Sequence, residues 1–193
     1  TYQEAELPEL GEGEDIDESL PADPNVKNYS YTVVDGEVYF RENSIMVKPR
    51  LNATAKTYEY RVWNSPEPCV FQRKYWYRLP VPLNLEAMEA AAAHLVGQHD
   101  FRSFCSNKKM KKSTVRTIYS LDIATMGPEL RFALRGDGFL YNMVRILVGT
   151  LLEVGMGRRS PAEIPGILEA RNRETAGYTV PAHGLFLMEV EYP

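Results

Sequence analysis

The chain reads as an α+β protein with a ferredoxin-like β-α-β-β-α-(α)-β order, an antiparallel sheet with helices on one face. Three observations lead there. Apolar and polar residues alternate in four segments between Thr57 and Tyr192, the period of a half-buried strand. Helical spacing with end signals occupies the gaps between them. The 193 residues are 44% hydrophobic and 25% charged, a composition able to fill a packed core.

The elements follow in order. Tyr58, Tyr60 and Val62 alternate with Glu59, Arg61 and Trp63, which predicts a strand over 57–63. Asn84 is a good N-cap, and Leu85, Met88, Ala92, Leu95 and Val96 recur at helical spacing up to the stop at Gly97. Val115, Thr117, Tyr119, Leu121 and Ile123 form a second strand. The turn Met126-Gly127-Pro128 joins it to a third at Leu130, Phe132 and Leu134. Residues 139–154 form a nearly all-apolar helix ended by Gly155 and Gly157. Ser160-Pro161-Ala162-Glu163 is a capping box that opens a further helix to about Ala170, and Phe186, Met188, Val190 and Tyr192 make the last strand.

The first quarter of the chain is different. Residues 1–24 hold nine acids and no base, with Pro8, Gly11, Gly13, Pro21 and Pro24 breaking any period, so they read as an irregular acidic arm. Tyr29, Tyr31 and Val33, the turn Asp35-Gly36 and Val38-Tyr39-Phe40 predict a hairpin. Pro49 to Asn52 reads as a junction. The organisation expected is an arm and hairpin over 1–53 and a second domain over 54–193.

Charge divides at the same place. Residues 1–50 carry 12 acids against 4 bases, and residues 51–193 carry 14 acids against 18 bases. No apolar run approaches the roughly 18 residues of a membrane span, and no basic-then-apolar leader opens the chain, so a cytoplasmic protein is expected. Cys69 and Cys105 are the only cysteines, too few for a disulfide scaffold or a four-cysteine zinc site. His94, placed on a helix, and His99 and His183, placed in loops, show no metal-ligand spacing.

Three constellations carry chemistry. Arg102, Lys108, Lys109, Lys111, Lys112 and Arg116 lie in a stretch with no acid, interleaved with Phe101, Phe104 and Met110. Such a loop suits a phosphate backbone, or is simply a solvated surface. Asn142, Arg145, Gly149 and Glu153, spaced 3, 4 and 4, draw a polar stripe down the apolar helix. Arg145 there needs an anion or a carbonyl: Glu153, Asp137, the backbone, or a carboxylate or phosphate in a cleft. Tyr58 and Tyr60 share one face of their strand, as core residues or as a surface on which a base stacks. Arg135-Gly136-Asp137-Gly138-Phe139 fits neither a P-loop nor a dinucleotide fingerprint.

Four ordered blocks give the chain a specific likeness. They are Ala55-Lys56-Thr57-Tyr58-Glu59-Tyr60, Gly97-Gln98-His99-Asp100-Phe101-Arg102-Ser103-Phe104, the long run from Gly138-Phe139-Leu140-Tyr141-Asn142-Met143-Val144-Arg145 to Gly155, and Ala182-His183-Gly184-Leu185-Phe186-Leu187. Through them residues 55–192 resemble the C-terminal part of the bacterial tRNA pseudouridine synthase A family (TruA-type). The resemblance implies a cofactor-free homodimer that acts on tRNA and isomerises uridine to pseudouridine in the anticodon stem-loop. It implies that Tyr58 packs on the target base, that Arg145 pairs with the catalytic aspartate, and that Lys108, Lys109, Lys111, Lys112 and Arg116 touch tRNA phosphates. The family's catalytic aspartate lies in a Gly-Arg-Thr-Asp motif, which this sequence lacks; after residue 50 its aspartates are Asp100, Asp122 and Asp137. No catalytic nucleophile is therefore identified. Residues 31–44 look more like a piece of helicase-type proteins of mobile elements. The chain reads as a fusion or fragment, inactive without an N-terminal domain. The rival readings are a non-catalytic RNA-binding module of the same fold and a fragment without function.

Overall fold

The computed structural model describes residues 53–107 and 112–192 in full, together with three backbone strands before them. Residues 1–52 and 53–193 form two compact units. In the first, β1 (Ser30–Val34), β2 (Glu37–Glu42) and β3 (Ile45–Val47) pair antiparallel in that order. Val34 pairs with Glu37, as a two-residue hairpin connection requires. The third strand was not expected from the sequence. The acidic stretch 1–24 and the junction 49–52 lie outside the described residues.

The second unit is α+β, with one mixed sheet and three helices, and is compatible with a ferredoxin-like arrangement. Its strands are β4 (Ala55–Trp63), β5 (Tyr77–Arg78), β6 (Gly97–Asp100), β7 (Val115–Met126), β8 (Glu129–Gly136) and β9 (Leu185–Glu191). The order runs β5-β4-β8-β7-β6, and β9 also pairs with β4. So β4 holds β8 on one side, and on the other β9 along its first half and β5 at its end. β5 runs parallel to β4, which corrects the expectation of an antiparallel sheet. The two strands the sequence did not suggest, β5 and β6, have 2 and 4 residues, too short to show a period of two. His99 accordingly sits on β6 rather than in a loop.

The helices are α1 (Leu85–Ala93), α2 (Met143–Gly155) and α3 (Ile164–Ala170). Asn84 caps α1 by accepting from Ala87 N–H. The Ser160–Glu163 capping box forms, on a 3-10 turn that leads into α3. α2 starts later than its apolar run predicts. Asn142 adopts a left-handed φ of 60°, so residues 139–142 turn into the helix instead of belonging to it. Asparagine is one of the few residues with a side chain that accept this conformation readily.

The core lies between the sheet face carrying Tyr60, Val62, Phe132 and Leu134 and the helices carrying Met88, Ile146, Leu147 and Leu151, all fully buried. β8 alternates half-buried and buried residues along its whole length, so its other face carries Arg131 and Arg135. The described helices include none long and apolar enough to cross a membrane.

Candidate active site

The polar stripe of α2 is a seat for another segment of the chain. Residues 176–181, between α3 and β9, run along it. Gly177 N–H donates to Thr150 Oγ1 at 2.9 Å, Tyr178 N–H to Glu153 Oε1 at 3.3 Å, and Val180 N–H to the Arg145 carbonyl at 3.3 Å. Arg145 Nε donates to the Val180 carbonyl at 2.6 Å. Gly149 lies where the strap comes nearest: a Cβ there would overlap the Tyr178 carbonyl oxygen. Arg145, Gly149 and Glu153 of the stripe, with Thr150 beside them, thus receive the partner segment.

The sheet holds the same strap from below. Tyr60, fully buried on β4, donates its hydroxyl to the Pro181 carbonyl at 2.6 Å. Burial, then the neighbouring Tyr77, pushes the Tyr60 phenol far above its ordinary range, while the nearby positive charge of Arg145 opposes the shift. Tyr178 is also raised, by burial first and then by its hydrogen bond with Tyr77. Both phenols are neutral donors at any physiological pH.

Arg145 is half-buried, and its NH1 donates to Asn142 Oδ1 at 3.0 Å. Asn142 in turn donates Nδ2–H to Ser106 Oγ at 3.3 Å. The guanidinium is oriented by a carbonyl and an amide, and among the described residues no carboxylate forms an ion pair with it. Of the sequence's candidate anions, Glu153 binds Arg159 and Asp137 accepts from Thr117 N–H at 2.9 Å. Asp100 accepts from Thr114 Oγ1 and lies 3.2 Å from Arg171 Nε, while Asp122 is exposed on β7. The backbone carbonyl is the partner found. A cation oriented this way, with no carboxylate partner among the described residues, is able to receive an anion.

Tyr58 is half-buried on β4, on the same side as Tyr60, and meets Phe139 edge-on at 5.2 Å between ring centroids. Among the described residues no bond joins it to Arg145, although both flank the turn 139–142. Of the basic loop, Lys108, Lys109 and Lys111 lie outside the described residues. Lys112 is exposed. Arg116 folds back, its NH1 donating to the carbonyls of Ser113 at 3.0 Å and Val115 at 2.5 Å. No cluster of three metal-ligating side chains occurs among the described residues. Of the two sequence readings of Tyr60 the core one holds, with its hydroxyl on the Pro181 carbonyl, whereas Val180 was missed. The signal available was Gly149, a residue without bulk in the middle of an apolar helix.

Tyr58, which meets Phe139, and Arg145, which holds Asn142, flank the turn 139–142, an arrangement able to receive a planar group and an anion. The comparisons then fix the class. The sequence profile described as tRNA pseudouridine synthase matches residues 91–193. Three relatives named tRNA pseudouridine synthase A are 53% identical over 136 residues (Halalkalibacterium halodurans), 50% over 143 (Brevibacillus brevis) and 48% over 143 (Bacillus subtilis). These matches cover 70%, 74% and 74% of this chain and 52%, 59% and 58% of the relatives. The chain belongs to the tRNA pseudouridine synthase family, and it spans about half the length of the curated relatives it matches.

Proposed function

We propose that residues 53–193 are the base-cradling half of a tRNA pseudouridine synthase. Its substrate is a uridine in the tRNA anticodon stem-loop, and its product is the pseudouridine isomer. In this reading an aspartate supplied from outside the described residues attacks the nucleoside and the glycosidic C–N bond breaks. Tyr58 holds the freed uracil as it turns; a base carbon then bonds to the ribose as the aspartate–sugar bond breaks, and that carbon gives up its proton while the ring nitrogen released in the first step takes one. Arg145 pairs with that aspartate, and Lys108, Lys109, Lys111, Lys112 and Arg116 contact tRNA phosphates. The working protein is a cofactor-free, cytoplasmic homodimer. Residues 1–52 lie outside the family.

The observation that carries this is Arg145. Its guanidinium is aimed by Val180 and Asn142 yet meets no carboxylate among the described residues, and the sequence holds no Gly-Arg-Thr-Asp. Arg145 is a cation with no lone pair to attack with, and this reading gives Tyr58 the stacking role, so neither takes the aspartate's part as covalent nucleophile. The chain alone is therefore inactive. The experiment is incubation of the purified chain with an unmodified tRNA transcript, followed by nucleoside analysis; no pseudouridine is expected.

A further inference from the structure

We propose that the excursion between β4 and β5 is a second RNA-contacting surface, in which Phe71 and Tyr75 stack on unpaired bases and Arg73, Lys74 and Arg78 meet phosphates. The choice of tRNA as the probe rests on the reading above; the surface itself is argued from its own chemistry.

Residues 64–78 include three bases, Arg73, Lys74 and Arg78, against one acid, Glu67. All three cations are exposed. Among the described residues none of them is in an ion pair. On β4 and β8 the arginines are neutralised, Arg61 by Glu59, Arg131 by Glu129 and Arg135 by Glu191. The excursion is thus a place where positive charge is left uncompensated, the footprint of a polyanion.

Large apolar groups stand among these cations. Phe71 is 97% exposed, Val70 58% and Tyr75 54%. A phenylalanine projecting into water next to a second exposed aromatic contributes nothing to this core, and such patches mark binding surfaces. The segment is not simply loose. Trp76 is buried, meets Trp63 edge-on at 6.2 Å and lies beneath the guanidinium groups of Arg61 and Arg131. Trp63 donates Nε1–H to the Glu67 carbonyl at 2.7 Å, and Arg78 donates to the Pro66 carbonyl. Arg73 NH1 reaches the Val70 carbonyl at 3.3 Å. A cavity is lined by Trp63, Cys69, Val70, Arg73, Trp76 and Arg78. An anchored loop that offers aromatic faces between unpaired cations matches how proteins grip single-stranded RNA, with stacking for the bases and charge for the backbone.

This surface is separate from the Tyr58 site. The separation is across the sheet: Tyr75 meets Phe186 at 6.3 Å between ring centroids, Phe186 pairs with Glu59, and alternation puts Glu59 and Tyr58 on opposite faces. A long RNA such as tRNA can occupy both regions at once.

The test is a fluorescence-anisotropy titration of the full chain with a labelled tRNA transcript at several salt concentrations, with sedimentation run in parallel. Phe71→Ala/Tyr75→Ala should weaken binding about 25-fold or more, since each of the two base stacks lost removes about 5-fold or more, and leave the salt slope unchanged. Arg73→Ala/Lys74→Ala should flatten the log-log slope by about 1.4 to 1.8, the loss of two phosphate contacts. All four residues are exposed, so both variants should melt with the wild type. Tyr58→Ala, titrated alongside, separates the two ideas. If it binds as wild type while the Phe71/Tyr75 variant does not, this surface stands and the role given to Tyr58 falls. If either surface variant keeps both wild-type affinity and wild-type slope, or if the wild type does not bind tRNA, the proposal is overturned. Loss of self-association with tRNA binding unchanged would also overturn it, and would make the excursion a contact between copies of the chain.

Discussion

Arg145 and Val180 hold each other twice. The arginine side chain donates to the Val180 carbonyl at 2.6 Å, and Val180 N–H donates to the Arg145 carbonyl at 3.3 Å. This reciprocal pair joins α2 to the strap before β9, and it sets the direction in which the guanidinium points. The strap is in turn fixed to the sheet through Tyr60 and the Pro181 carbonyl.

Gly149→Ala should destabilise the domain, against the usual gain from replacing a helical glycine. The new methyl would overlap the Tyr178 carbonyl, and forced overpacking costs about 1–3 kcal/mol. A melting temperature lower by about 3 to 10 °C is expected from calorimetry. Gly166 on α3 is the control, since nothing lies within 4 Å of the position its Cβ would take. Gly166→Ala should raise stability by up to about 1 kcal/mol.

Tyr60→Phe leaves the Pro181 carbonyl without its donor, at a cost of about 1–3 kcal/mol. It should also change the alkaline limb. The folded-state pKa of Tyr60 is raised by burial, so the phenol stays protonated in the fold after the unfolded chain has begun to lose its proton near pH 10. The stabilising contribution is complete below that pH and is lost as pH rises above it. Wild-type melting temperature should therefore fall more steeply between about pH 9.5 and 11 than that of Tyr60→Phe. Parallel curves for the two proteins would remove Tyr60 from the explanation.

Much of this was legible in sequence because it follows from periodicity. Val62, Phe132 and Leu134 alternate into the core, and Ser160 and Glu163 cap as their spacing predicts. The stripe on α2 was visible too, but its partner was not. A stripe records that something polar packs there, and the segment Gly177–Val180 that fills it has no period of its own. The parallel strand β5 was hidden for a similar reason: two residues pair with Val62 and Trp63 only because the excursion returns them to that edge. Asn142's left-handed turn was hidden because Asn142, three residues before Arg145, fitted the polar stripe of a continuing helix.

The basic loop tests separately from the excursion at Phe71. Replacing Lys108, Lys109, Lys111 and Lys112 with alanine should lower the salt slope of tRNA binding by about 3 if all four meet phosphates. Arg116→Ala should change it less, because that guanidinium is already held by the carbonyls of Ser113 and Val115. An unchanged slope in the four-lysine variant would make the loop a solvated surface.

The most direct measurement is pseudouridine formation in an unmodified tRNA transcript by two proteins, the chain itself and a chimera. In the chimera residues 53–193 replace the matching half of the Bacillus subtilis relative, which is 48% identical over 143 residues. The account predicts no product from the chain alone, product from the chimera, and loss of that product in the chimera carrying Arg145→Met. Isomerisation by the chain alone, or a folded chimera that forms no pseudouridine, would contradict it.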